Sequence, residues 1–429
     1  MYDYYLTARQ EDIMKNKQSK LLLAMILCIT MIGTTVLSAC SQTEAEPEEP
    51  EPAACNSLTG ETAEDGYDEA AGERRVAAFV VENAPDARPQ WGLDDENYSP
   101  DIVLQGEVEG GITRTLWLYA DYEKLPEIIG PTRSARPPFI KFSELFDSIF
   151  IHWGMSHSKG DYIGAKTVFK RDNVDHIDQM YLDDKEGMYG RDTTRAVNIE
   201  HRGIIYTDKL SATIANEGIR TKPKDYTKLC FNNITEPVSE TSATQIGVKY
   251  SERSYEDTYW TYSEEDGMYH TSDFENDFAR ENLLVLYDDT EYITKEGYQG
   301  PGSTGSVTYC DYKLAGGDAK LFSKGTVKDI KWQIVDGKLE LIDPATDAET
   351  AQAANDENFE AAKEEVKASE EENPEWPVYN KYTIVTPETD EEMSEEDILA
   401  NSYVLQNLNR GKTWIGWISK NNGGSVSSN

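Results

Sequence analysis

Charge is distributed so unevenly along this chain that it decides which residues can build a core. Glu44 to Glu73 holds 11 acidic residues and Asp343 to Asp397 holds 19, with few basic ones among them, so these stretches supply most of the net charge of −38. Runs of like charge with few apolar side chains repel themselves and bury too little surface to offset the entropy of ordering. The remainder, Val76 to Ile342 and Leu399 to Asn429, is only mildly acidic and rich in Tyr and Trp, and packed structure is expected there. A chain of 429 residues has room for about two domains of ordinary size. The same acidity disfavours nucleic acid as a partner, because binding a polyanion relies on Lys and Arg neutralising phosphates.

The N-terminus constrains location. Lys15, Lys17 and Lys20 precede an apolar run, Leu21 to Val36, that closes on Leu37, Ser38, Ala39 and Cys40. This order resembles a bacterial lipoprotein signal peptide, in which the Cys is acylated, for instance with palmitate, and becomes the mature N-terminus. The run is short for a membrane span of about 20 residues. Lipidation at Cys40 therefore predicts a protein tethered to the extracytoplasmic face of the cell membrane. Asp3, Glu11 and Asp12 do not suit a basic leader, so translation is expected to begin at Met14. The mature chain keeps Cys55, Cys230 and Cys310; spacing leaves a Cys230–Cys310 bridge and buried free thiols both open. With no CxxC or HExxH spacing, no metal or cofactor is expected.

Ser41 to Arg75 has no hydrophobic period and reads as an extended acidic tether. Strands are expected at 76–81, 102–108, 113–119 and 148–152, with the Gly110–Gly111 turn between the second and third. Helices are expected at 137–146, where Phe139, Phe142, Leu145 and Phe146 follow a 3.6 period, and at 207–216, closed by Gly218. Beyond 235–244 short aromatic strands follow at 246–250, 258–262, 268–271, 283–287, 307–314, 330–335 and 339–342, and a last one at 410–418. The fold class is α+β: an N-terminal mixed α/β domain, 76–235, then a mostly-β C-terminal domain, 245–420, with an acidic helical insertion at about 343–398. Ala345 to Glu372 shows no strong apolar face and is expected to be a solvated helix.

The densest polar residues lie in the first half. They occur in Glu107-Val108-Glu109-Gly110-Gly111-Ile112-Thr113-Arg114, in Gly130-Pro131-Thr132-Arg133-Ser134-Ala135-Arg136-Pro137, around His152, and in Arg191-Asp192-Thr193-Thr194-Arg195. In this order the strings resemble the YerB-like bacterial lipoproteins, a family with a domain of unknown function in N- and C-terminal parts. The resemblance covers most of Val76 to Trp332 and resumes at Gly411 to Ile415. It implies an envelope lipoprotein without an established activity. The chain departs from the family at Asn198-Ile199-Glu200-His201, where a Pro-His-Asn triplet would be expected, and in the acidic insertion.

Arg114, Arg133 and Arg136 are planar, permanently charged donors suited to carboxylate or phosphate, and Ser134 adds a hydroxyl. Together with His152, Arg191, Asp192 and Arg195 they form a candidate ligand site for an envelope protein or an anionic glycan, with Glu107 and Glu109 in support. The competing arrangement is an internal network in which Glu107, Glu109, Asp192 and Glu200 neutralise the arginines. An enzymatic alternative, a hydrolase or transferase of cell-wall material, would need His152 or His157 as base beside Ser134 or Glu109. No Gly-x-Ser-x-Gly or comparable motif supports it, so no catalytic residue is assigned.

Overall fold

The computed structural model describes residues 54–297, 305–369, 376–377, 379–387 and 394–429. The signal region and Cys40 lie outside them. Among the described residues a twelve-stranded sheet is the backbone of the fold. In spatial order its strands are 383–385, 403–405, 338–342, 326–335, 317–323, 282–288, 413–419, 102–107, 113–119, 77–82, 149–152 and 176–178. Three of them frame the site and are labelled β1 (Ala77–Glu82), β2 (Ile102–Glu107) and β3 (Thr113–Tyr119).

The halves of the chain meet inside this sheet. The last aromatic strand, Thr413–Ser419, is buried along its whole length and pairs in parallel with Asn282–Asp288 on one side and β2 on the other. Period-two alternation of side chains then divides the core in two. Ala78, Val80, Leu104, Leu116 and Ile415 point to one face, where Phe139, Phe142 and Phe146 of the helical segment cover them. Phe79, Val81, Val103, Trp117 and Trp414 point to the other, under a five-stranded sheet that contributes Trp260, Tyr269 and Phe278. The α+β class holds, with helices at Pro137–Glu144, Ala165–Asp172, Leu210–Asn216, Ala348–Ala368 and Glu395–Ala400.

Two expectations need correction. The tether reading fails from Ala54 onward: Leu58 and Thr59 are fully buried and Ala71 nearly so. Arg75 anchors this stretch by donating to the Asp147 and Ser148 carbonyls at 2.7 and 3.0 Å while pairing with Asp175 at 2.5 Å. The Ala348–Ala368 helix also has a packed face. Ala348, Ala351, Ala362 and Val366 are buried on it, at helical spacing. Phe359 adds ring contacts to Trp376 and Tyr379 at 5.8 and 5.1 Å, and the Asn355 side-chain oxygen accepts from the Lys381 and Tyr382 amides at 3.0 Å. The stripe is built mainly from alanine, whose small apolar surface carries little signal in a sequence. Cys55, Cys230 and Cys310 are free thiols.

Candidate functional site

The site forms where parallel strands run out. β1 pairs in parallel with Ile149–His152, which pairs in parallel with His176–Asp178. β1 and Ile149–His152 stay paired only over Ala77–Phe79 and Ile149–Ile151, then part. The 131–135 segment enters the gap: Arg133 N–H donates to Val80 O at 3.0 Å, Trp153 N–H to Arg133 O at 3.1 Å and Ala135 N–H to Gly154 O at 2.9 Å. Crevices outside the carboxyl ends of parallel strands are where open α/β sheets carry ligands.

Here the crevice opens into a cleft of about 300 Å³ lined by Arg133, Ser134, Trp153, His157, Met180, Tyr181, Arg191 and Glu200, among others. Its back wall is the Trp153 indole, which fits because Gly203 has no side chain; a Cβ there would meet the ring at 2.7 Å. Asp178 sets the rim by accepting the Gly154 and Met180 amides at 2.7 and 3.0 Å. Met180 and Tyr181 are largely exposed at that rim, 62% and 65%.

Two guanidinium groups face the cleft. Arg191 lies over the Trp153 ring with its central carbon 3.9 Å from the centroid, a cation–π contact, and donates to the Ile199 carbonyl. Among the described residues no carboxylate comes within ion-pair distance of it. Burial and then the Arg133 charge lower its pKa, with no acidic group opposing them. Arg133 has its Nε 3.1 Å from Glu82 and its Nη2 3.2 Å from Glu200. Glu82 is buried and also holds His201 Nδ1 at 3.0 Å, whereas Glu200 is half exposed. Ser134 turns its hydroxyl to the Trp153 carbonyl at 3.0 Å.

Beneath this pair lies a closed network. Glu109 accepts from Arg136 Nε at 2.7 Å and from Arg114 Nη2 at 3.2 Å, while Arg114 also donates to Ser134 O at 2.7 Å. Burial pushes the Glu109 carboxyl up, but Arg136 and Arg114 outweigh it and bring its pKa down to about 2. Burial drops Arg114 to about 10, with Glu109 opposing the shift. Tyr309 covers Arg136 at 5.4 Å and is itself stacked on Tyr162 at 4.0 Å.

The other sequence candidates are placed elsewhere. Glu107 does not reach the arginines. Cross-strand partners share a face of a sheet; Glu107 pairs with Thr113 and Gly106 with Arg114, so Glu107 points away from Arg114. It accepts from Ser251 at 2.5 Å and Tyr292 at 2.7 Å, and burial raises its pKa. Asp192 accepts from Thr194 and lies 3.8 Å from Arg195, which covers Trp91 at 3.3 Å. His152 is fully buried. A carbonyl only accepts, so the 2.7 Å contact with Gly154 O fixes the proton on Nδ1, and Nε2 receives the His176 Nδ1 proton at 3.0 Å. Both ring nitrogens are engaged, and burial, then His176, drops the pKa to about 3. It has no atom to offer a substrate. Trp153, Met180, Tyr181 and Glu82 were not among the sequence candidates; no spacing marks the two exposed rim residues.

The fold and cleft define a class: an α+β protein with an arginine-lined crevice at the carboxyl ends of parallel strands. Residues 58–220 match the family model described as "Protein of unknown function (DUF3048) N-terminal domain". "Putative lipoprotein YerB" of Bacillus subtilis (strain 168) is 26% identical over 324 residues, covering 73% of this chain and 88% of the relative. The crystal structure of YerB protein from Bacillus subtilis superimposes with a TM-score of 0.58 at 22% identity, covering 87% of this chain and 99% of that one, and the fold is shared. The chain is thus similar to YerB in sequence over most of its length, the likeness its motifs imply. Among the described residues no helix is long and apolar enough to cross a membrane.

Proposed function

We propose that this protein is a binding protein of the bacterial cell envelope, diacylated at Cys40, held on the extracytoplasmic face of the membrane, and using the Arg133–Arg191 cleft to take an anionic group. The observation that carries the reading is the Arg191 guanidinium, which lines an open cleft, is held by an indole and a carbonyl, and among the described residues has no carboxylate partner. Arg191 is exposed at the mouth of the cleft, so its charge faces solvent there and is open to an external anion. Arg forks suit carboxylate and phosphate oxygens, and the Trp153, Tyr181 and Met180 surfaces favour an anion attached to an apolar or ring-bearing body. An anionic glycan or an acidic segment of an envelope protein has this chemistry.

The experiment is a titration of the purified full chain with a glycerol-phosphate oligomer and, separately, a short peptide ending in a free carboxylate, following Trp fluorescence. Saturable quenching that weakens with added salt supports the reading. No saturable change with either probe overturns it. Mass analysis of the mature N-terminus tests the tether: acyl chains on Cys40 are expected, and an unmodified Cys40 removes the anchor.

A further inference from the structure

A second cleft, of about 280 Å³, opens on the other side of the β2–β3 hairpin, between the hairpin and the five-stranded sheet. We infer that it binds an amine-bearing sugar, a hydroxylated ring carrying a protonated amino group. The inference is independent of the Arg133–Arg191 cleft, because strand alternation sends Thr113 and Arg114 to opposite faces.

The floor is neutral and built of amides and hydroxyls. Asn83 Nδ2 and Gln105 Nε2 both donate to Thr113 Oγ1, at 2.8 and 3.1 Å. A hydroxyl accepts two hydrogen bonds and donates one, so Thr113 retains a proton to donate. Gln105 is fixed in turn by the Trp414 indole N–H at 3.1 Å, and Asn83 by Gln90 at 2.9 Å, which leaves a rigid polar floor.

The walls carry the charge. Glu256, Asp257 and Asp273 face a single cation, Arg88. Arg88 Nη2 pairs with Glu256 at 2.7 Å and donates to Asn83 O at 2.9 Å. The Arg88 side chain is only 10% exposed, and its Nε is buried with no hydrogen-bond partner. Tyr259 completes the cleft with a ring side chain that is 59% exposed; its N–H donates to Asp273 at 2.5 Å, tying the aromatic wall to the acidic one.

These groups specify complementary chemistry. The carboxylates outnumber the guanidinium, which favours a cation and hydroxyl donors. The Thr113 proton calls for a ligand oxygen. An exposed aromatic ring beside polar groups suits the flat apolar face of a sugar ring. An amino sugar satisfies all three demands, whereas a phosphate or carboxylate would be repelled by the acidic wall.

The test is calorimetric titration of the full chain in detergent with a glucosamine tetramer, with a glucose tetramer as the uncharged comparison. Saturable binding of the glucosamine tetramer is expected, weakened about tenfold by Tyr259→Ala or by Asp273→Asn and unchanged by Arg191→Met. Circular dichroism of both variants checks that they are folded, and Tyr259, being exposed, is the safer of the two. Absence of binding at about 10 mM overturns the inference. So does equal affinity of a folded Tyr259→Ala variant, or equal affinity for the glucose tetramer.

Discussion

Arg191 lies over Trp153, its guanidinium carbon 3.9 Å from the ring centroid, and the pair forms the wall of the cleft at the end of the Ile149–His152 strand. The contact orients the guanidinium without neutralising it. Arg136, by contrast, is bonded through two of its nitrogens to Glu109. The same residue type thus stands in two settings in two separate motifs, Arg136 paired with a buried carboxylate and Arg191 held by a ring and a carbonyl.

Glu109 should be the residue on which the structural half depends. Glu109→Gln would leave Arg114 and Arg136 buried without a counterion and is expected to cost about 3 to 5 kcal/mol in urea unfolding at neutral pH. The carboxyl titrates at about 2 in the folded protein and near 4.3 in the unfolded chain, so its contribution is present above about pH 5 and is lost as pH falls toward about 2. A variant as stable as the original at pH 7 would show that the triad contributes nothing.

The stacked histidines predict a second pH dependence at a higher range. His152 and His176 are held at about 3 and about 4 by burial, while unfolded histidine titrates near 6.5. Between those values the unfolded chain binds protons that the folded one refuses, so stability falls as pH drops below about 6.5, by about 1.4 kcal/mol per pH unit for each histidine. Unfolding measured between about pH 6.5 and 5 should show a shallower slope for His176→Gln than for the original protein. Equal slopes would contradict the assignment.

The acidic insertion is expected to behave as packed structure. Ala351 is fully buried on the Ala348–Ala368 helix, so Ala351→Asp places an unpaired charge in that contact and should cost on the order of 3 kcal/mol. Exposed Glu364→Gln should change stability by less than about 0.5 kcal/mol. Limited proteolysis of both variants reads the difference locally: rapid cleavage near the helix is expected only for Ala351→Asp.

Much of the fold was legible because its signals are local. The runs Ile102–Glu107 and Thr113–Tyr119 around Gly110 and Gly111 read directly as two strands and a turn. Gly111 is needed there twice over, with φ at 83° and no space for a Cβ, which would meet the Arg253 carbonyl at 2.1 Å. The Ala165–Asp172 helix gave no such signal, because only Ala165, Val168 and Phe169 are buried in it. The arginine strings marked segments from which Arg133, Ser134 and Arg191 line the cleft, but a string does not state which face each side chain takes. Alternation separates Glu107 from Arg114, and only the pairing register of β2 with β3 reveals it. Met180 and Tyr181 reach the cleft through tertiary placement of a loop, which leaves no trace in spacing.

The proposed role of Arg191, to receive an external anion, is tested by one variant. Arg191→Met keeps a side chain able to cover Trp153 but removes the charge. Titrated with the glycerol-phosphate oligomer, or with the carboxylate peptide if that is the probe the unmodified chain binds, the variant should lose at least about tenfold in affinity. Its unfolding free energy should stay within about 0.5 kcal/mol of the original, since no internal carboxylate is stranded. Undiminished affinity in a folded Arg191→Met protein would contradict the claim.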